Sequence, residues 1–165
     1  MQPGEALDIA AQVAVTLAGF AGIVVVFRPQ SIHEWSPLDR FRLHLLLANS
    51  ALPLISSLFG ILLLTIDPAP MAIWRWCSGF ALVIQVPFII STSAKGRRIP
   101  RAQQETVNRT LYYSIALLGT ASLVLHVINV VAWNRFWPFF FGIFVSLGAA
   151  VVQFVRFVIL PPHTE

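Results

Sequence analysis

Long apolar stretches separated by short polar segments make up almost the whole chain. Five such stretches occur, and each is long enough to cross a bilayer core of about 30 Å as a single helix. They predict helices over about residues 6–27, 37–66, 71–92, 110–133 and 137–160. The pattern therefore predicts an all-α fold: a polytopic membrane protein with five transmembrane helices in a single domain, residues 1–165.

Local signals at the helix ends and turns refine this picture. Ser36 is a good N-cap, and Pro37 suits the first position of the second helix. Pro53 lies inside that helix and should kink it, and Ser56, Ser57 or neighbouring helices are expected to satisfy the freed carbonyl. The turns between the second and third helices and between the fourth and fifth are short, so each pair should form an antiparallel hairpin.

Composition agrees with a membrane protein. Apolar residues make up 57% of the chain and charged residues 11%, whereas about 25% is usual for a soluble domain. The start of the chain is acidic and the first apolar stretch is too long for a signal peptide, so we expect that helix to be retained. The single cysteine, Cys77, excludes an intramolecular disulfide.

The basic residues indicate an orientation. They concentrate in the segments that follow the first and third helices, whereas the opposite side holds only Arg75 and Arg135. The positive-inside rule then predicts an external N-terminus and a cytoplasmic C-terminus, and four tryptophans at helix ends on the outer side agree. The short loops suit a bacterial inner membrane. We expect these basic residues to contact anionic lipid rather than nucleic acid, with a regulatory partner as the alternative: Arg40, Arg42, Lys95, Arg97, Arg98, Arg101 and Arg109.

The first helix carries two different stripes at four-residue spacing. One is polar and passes through Asp8, Gln12 and Thr16. The other consists of small residues and predicts a seam of close helix contact, within the chain or between subunits: Ala10, Ala14, Ala18 and Gly22. Glu5 and Asp8 could form an acidic mouth that concentrates cations. Alternatively, they are solvated acids placed favourably near a helix N-terminus.

Each of the other helices also carries one polar or small stripe: Asn49, Pro53, Ser56 and Gly60 on the second; Ser78, Gln85 and Thr92 on the third; Gly119, Ser122, His126, Asn129 and Trp133 on the fourth; and Gly142, Ser146, Ala149, Gln153 and Arg156 on the fifth. These residues either line a hydrated path or make hydrogen bonds between helices. The candidates for a polar path over the whole chain are Glu5, Asp8, Gln12, Thr16, Asn49, Gln85, His126, Asn129, Gln153 and Arg156.

Two of these residues have specific alternatives. His126 could relay protons, or it could be a neutral imidazole bonded to a neighbouring Ser or Asn. Arg156 could snorkel to the headgroups, or it could pair with Gln153 or Asn49 across the bundle.

The chain shows no catalytic motif, and its histidines lack the spacing of a metal site, so we expect no enzyme activity, cofactor or metal. Three functions remain. The first is a small homo-oligomeric channel in which the polar face of the first helix lines a path for a cation or protons. The second is an accessory or scaffold subunit of a larger membrane complex. The third is a proton-coupled carrier that uses His126 and Asp8.

Overall fold

The described part of the chain forms five long helices, as the sequence predicts. The computed structural model describes residues 1–27, 34–68, 70–97 and 109–159. The helices are α1 (Pro3–Phe27), α2 (Pro37–Leu64), α3 (Ile73–Gly96), α4 (Arg109–Ile128) and α5 (Phe136–Ile159), with a π-helical turn, Asn129–Trp133, continuing α4. All five are long and apolar enough to cross a membrane, which indicates an integral membrane protein.

The ends of the helices lie together at two opposite ends of the bundle. At one end of the bundle, α1 begins, α2 ends, and Asn134 lies between α4 and α5; we call this the Asn134 end. Here a Cβ on Gly4 would lie 3.8 Å from Leu64 Cδ1. At the other end, which we call the Ser36 end, a Cβ on Gly96 would lie 3.6 Å from Phe41 Cζ. The start of α1 therefore contacts the end of α2 at the Asn134 end, and the end of α3 contacts the start of α2 at the Ser36 end.

Two helix starts are fixed by hydrogen bonds that the local sequence supplies. Ser36 caps α2 as predicted, because its hydroxyl accepts a hydrogen bond of 3.1 Å from the backbone N–H of Asp39. At the start of α1, the Glu5 carboxylate accepts a hydrogen bond of 3.0 Å from the backbone N–H of Gln2. This is half of a capping box, and it explains why α1 begins at Pro3 rather than near residue 6.

The main core lies towards the Asn134 end and draws on four helices. Its buried members are Leu7, Ala10, Ile73, Cys77, Ala81, Phe139 and Ile143. Gly60 of α2 lies at the centre of this cluster, because a Cβ there would come within 2.7 Å of Leu7 and 3.4 Å of Phe139. Gly60 therefore permits the close approach of α2 to both α1 and α5. A smaller cluster towards the Ser36 end contains Leu17, Ala21, Leu46 and Ala150.

The expectation that Ser56 or Ser57 satisfies the backbone carbonyl freed by Pro53 is wrong. Pro53 is buried within α2, as the stripe through it suggested. However, the hydroxyl groups of Ser56 and Ser57 have no hydrogen-bond partner among the described residues, so neither satisfies the carbonyl that Pro53 frees. Both side chains are turned into the bundle interior, where they are buried.

Candidate functional site

The polar stripes of α2 to α5 face the interior of the bundle over most of their length. Buried members of these stripes occur on every one of the four helices: Pro53, Ser56, Gly60, Ser78, Gln85, Ser122, His126, Asn129, Gly142 and Ala149. Asn49, Ser146, Gln153 and Arg156 are half-buried. Polar groups turned inwards are shielded from lipid, as their cost in hydrocarbon requires.

The polar stripe of α1 faces the other way. Asp8, Gln12 and Thr16 are all exposed on the outside of the five-helix bundle, and Gly19 continues this exposed line. A path lined by this stripe cannot therefore lie inside a single chain. Any such path would need further protein, whether copies of the chain or another subunit, around this face.

Hydrogen bonds link the members of this stripe. Gln12 Nε2 donates to Asp8 Oδ2 over 3.2 Å, and Thr16 Oγ1 donates to the backbone carbonyl of Gln12 over 2.8 Å. The result is a continuous polar ridge of two helical turns, which we call the α1 ridge (Asp8, Gln12 and Thr16). It leaves acceptor atoms of Asp8 and Gln12 directed towards whatever covers this face.

The small-residue seam of α1 is divided between the interior and the surface. Ala10 and Ala14 are buried within the chain, Ala18 is half-buried, and Gly22 is exposed with open space beside it. Four residues advance a helix by about 400°, so a four-residue stripe drifts by about 40° at each step. That drift carries the seam from the α1–α2 contact to the outer surface.

The acidic residues of α1 have different surroundings. Glu5 is exposed but engaged in capping the start of the helix. Asp8 is exposed one turn further along and belongs to the α1 ridge. The structure therefore supports a capping role for Glu5 and leaves Asp8 as the carboxylate closest to the rest of the ridge.

Asn129 makes the most extensive set of polar contacts in the described part of the chain. Its Nδ2 lies 2.7 Å from Ser78 Oγ, 3.0 Å from the Arg135 carbonyl and 3.2 Å from the Trp74 carbonyl. Its Oδ1 accepts a hydrogen bond of 2.8 Å from the backbone N–H of Arg135. The side chain is completely buried. Its polar groups are thus used to join α3 to the turn between α4 and α5.

Asn134, which lies in the turn between α4 and α5, makes further hydrogen bonds from this turn to the start of α3. It has a left-handed backbone, with φ of 51°, which asparagine tolerates better than most residues. Its Oδ1 accepts from the backbone N–H groups of Trp74 and Arg75 at 3.1 and 3.2 Å, and its Nδ2 donates to the Met71 carbonyl. Ala72 has no side chain that can cap α3, so Asn134 supplies the cap from another hairpin. Sequence reasoning identified Asn134 only as part of a turn.

His126 lies deep in the bundle, one turn before the π-helical segment. Its side chain is 0% exposed, and neither ring nitrogen has a hydrogen-bond partner among the described residues. The expected bond to a neighbouring Ser or Asn is therefore not present. His126 and Asp8 are not brought together, because Asp8 is on the outer face of α1 and bonds to Gln12. The carrier that pairs these two residues has no geometric support.

The basic residues near the Ser36 end are not equivalent. Arg40, Lys95 and Arg97 are exposed, and Lys95 Nζ lies 3.3 Å from His44 Nε2. Arg42 is instead only 5% exposed, and its Nη1 lies 3.5 Å from Asp39 Oδ1, so its guanidinium is engaged within the protein rather than facing headgroups. Arg98, Arg101 and the Arg109 side chain lie outside the described residues.

The remaining candidates for a polar path are not joined to one another by hydrogen bonds. Gln85 is buried in the middle of α3, whereas Asn49 donates to the carbonyl of Leu45 within its own helix, over 2.9 Å. Arg156 is half-buried, and no hydrogen bond joins it to Gln153 or Asn49. Over residues 1–27, 34–68, 70–97 and 109–159, no three His, Cys, Asp or Glu residues are grouped so that they could hold a metal ion.

Comparison of the chain with protein-family models, with curated proteins and with solved structures gives no significant match.

Proposed function

We propose that this protein is a channel-type membrane protein that works as a homo-oligomer, with the α1 ridge of each copy lining a path for a cation or protons. In this proposal, the N-terminus is external and the C-terminus is cytoplasmic in a bacterial inner membrane. The exposed basic residues at the Ser36 end contact anionic lipid.

The observation that carries the proposal is the direction of the α1 ridge. The stripes of α2 to α5 turn into the bundle for most of their length, whereas the ridge turns out of it over two turns. An amide moved into hydrocarbon without a compensating hydrogen bond costs roughly 2–7 kcal/mol, depending on the reference, and a carboxylate costs more; the bond between Gln12 and Asp8 offsets only part of this cost. A lipid environment would thus be unfavourable for Asp8 and Gln12. Water or protein against this face removes that cost.

The packing of the single chain explains why several copies are required. The centre of the bundle is filled by apolar side chains such as Leu7, Cys77 and Phe139, all of which are completely buried. A ring of copies would instead place one Asp8 from each chain around a common axis. Rings of carboxylates are a common means of selecting cations.

Liposome flux tests this proposal directly. Replacing Asp8→Asn removes the charge but retains the size of the side chain, so we expect cation flux to fall several-fold. Asp67→Asn is the matched control, because Asp67 is an exposed carboxylate near the Asn134 end that lies outside α1. Equal flux in the two variants would exclude Asp8 from the conducting path.

A second function is favoured by one feature of the same ridge. The Thr16 hydroxyl donates to a carbonyl of its own helix, and one N–H of the Gln12 amide donates to Asp8, so two of the three side-chain donors of the ridge are satisfied without water. A ridge of this kind suits a dry contact with another membrane protein, as in an accessory or scaffold subunit. That function predicts no flux from the purified wild-type protein and co-purification of a larger complex that is lost when Gln12 is replaced by Leu.

A further inference from the structure

Two nitrogen-bearing side chains meet on the surface where α2 and α3 come together near the Ser36 end. Lys95 Nζ of α3 lies 3.3 Å from His44 Nε2 of α2, and both side chains are exposed. The two residues are 51 positions apart in the chain, so only the packing of α2 against α3 brings them together. We call them the His44–Lys95 pair.

Aromatic contacts between the same two helices lie on both sides of this pair. The ring of His44 is 6.5 Å from the ring of Phe88, which lies nearer the middle of α3. Towards the Ser36 end, a Cβ on Gly96 would lie 3.6 Å from Phe41 Cζ. The distance between His44 and Lys95 is therefore set by helix packing rather than by the two side chains alone.

The positive charge at this place is not neutralised by any carboxylate among the described residues. Neither Lys95 nor Arg40 forms an ion pair with one of them. Asp39, which is next to Arg40 in the chain, is buried and lies 3.5 Å from Arg42. Arg40 is exposed and precedes His44 by four residues, so the two share one face of α2. Two cationic side chains and an imidazole are therefore available on this surface.

The donors of these groups suit an anion with several oxygen atoms. The Lys95 ammonium can only donate, so His44 Nε2 accepts in the present contact. When an anion replaces this contact, the ammonium donates to the anion, and the imidazole presents an N–H from its other tautomer. Arginine and lysine are the side chains that proteins commonly use to bind phosphate. Basic pockets between transmembrane helices bind the phosphate groups of lipids.

The apolar surface beside the pair favours a lipid over a soluble phosphate. On α2, the face that carries His44 continues towards the Asn134 end as a stripe of exposed apolar side chains at helical spacing: Leu47, Ile55, Leu58 and Leu62. A phospholipid places its phosphate at the pair and an acyl chain along this stripe. A phosphate without acyl chains gains nothing from the stripe.

We propose that His44, Lys95 and Arg40 bind the phosphate group of a membrane phospholipid in the seam between α2 and α3. This inference rests on the proposed contact of the Ser36 end with anionic lipid. It goes further because it assigns His44 to that contact and holds one lipid at a defined place. It does not require conduction along the α1 ridge.

Native mass spectrometry of the purified protein in detergent micelles tests this site. The protein is titrated with dioleoyl phosphatidylglycerol and, separately, with dioleoylglycerol, which has the same acyl chains but no phosphate. We expect the wild type to bind the phospholipid more tightly. Lys95→Gln removes the ammonium, and His44→Phe removes the ring nitrogens but retains a ring beside Phe88. Each substitution should weaken phospholipid binding several-fold.

Arg97→Gln is the matched control, because it removes one exposed positive charge from the same end of α3. Arg97 follows Lys95 by two residues and therefore points about 200° away around the helix. Phospholipid binding should change little in this variant. An equal loss in Arg97→Gln and Lys95→Gln would overturn the proposal, since general charge attraction would then hold the lipid.

Two further outcomes would also contradict the proposal. Equal binding of phosphatidylglycerol and dioleoylglycerol by the wild type would show that the phosphate is not recognised. Displacement of the phospholipid by an equal concentration of glycerol phosphate would show that the ligand is a soluble phosphate and not a lipid. These measurements involve no flux, so a failure of the proposed channel would leave them unchanged.

Discussion

At the scale of single residues, the two asparagines near the Asn134 end show how polar side chains stabilise an apolar bundle. Asn129 is completely buried and contacts the backbone of Trp74 and Arg135 as well as the hydroxyl of Ser78. Asn134 caps α3 from outside that helix. Together they fix the hairpin of α4 and α5 against α3. Their contacts use nearly all of their polar atoms, so they are poor candidates for a hydrated path.

Replacing Asn129→Ala should lower the free energy of unfolding by about 2 kcal/mol or more. Individual hydrogen bonds inside membrane proteins contribute about 0.6 kcal/mol on average, but this change removes several bonds and leaves the Arg135 N–H without its acceptor. Reversible unfolding in mixed micelles measures the change.

Asn49→Ala is the matched control for that experiment. Asn49 is half-buried and donates only to the carbonyl of Leu45 in its own helix. We expect a loss of less than about 1 kcal/mol. Equal losses from the two substitutions would show that Asn129 does not join the helices in the way described.

At the scale of helices, the existence and extent of α1 to α5 follow from hydropathy, because a span needs a long apolar run whatever it packs against. The cap of α2 also follows from Ser36, since the capping bond is local. The π-helical turn does not follow, because it depends on the backbone N–H of Asn134 reaching the Asn129 carbonyl, 3.1 Å away, while both side chains bind α3.

The sequence predicts that polar stripes turn away from lipid, but it did not show which of the two stripes of α1 faces the rest of the bundle. In a soluble helix the apolar face marks the core, whereas a membrane helix is apolar towards both lipid and protein. The two stripes of α1 were visible as patterns, but nothing in their spacing decided which of them packs against α2. The contacts decide it, because Ala10 and Ala14 are buried and Gln12 is not.

Helix packing at Gly60 gives a prediction at this scale. Gly60→Ala places a methyl group 2.7 Å from Leu7 Cδ1 and 3.4 Å from Phe139, so the Leu7 side chain must shift within a core that it shares with Cys77 and Phe139. We expect a loss of about 1–3 kcal/mol in the free energy of unfolding, as is usual for overpacking. Thermal unfolding in detergent measures it.

Gly148→Ala makes the same chemical change on an open surface of α5. Alanine favours the helix over glycine by about 1 kcal/mol, so this variant should be as stable as the wild type or slightly more stable. A Gly60→Ala protein of equal stability would mean that the close contact of α2 with α1 does not exist.

At the scale of the whole molecule, the bundle has a closed interior and one polar outer face. In the interior, Asn129 joins α3 to the turn before α5, whereas the buried hydroxyl groups of Ser56 and Ser57 and the His126 ring have no hydrogen-bond partner among the described residues. The α1 ridge differs from both, since its side chains bond within α1 and face outwards. In the proposed homo-oligomer, this hydrophilic surface is shared with other copies. We propose that water and other subunits, not lipid, cover this face.

The environment of Thr16 tests that claim most directly. A spin label is attached to Thr16→Cys in liposomes, in a background with the buried Cys77 replaced by Ala, and its accessibility to a water-soluble relaxing agent and to oxygen is compared. Leu117→Cys on α4 is the control for lipid exposure, because Leu117 is an apolar side chain that is 71% exposed. We predict that the label at position 16 is accessible to the water-soluble agent and that the label at position 117 is accessible to oxygen. If both labels show the same oxygen-rich profile, the α1 ridge faces lipid and the proposed path does not exist.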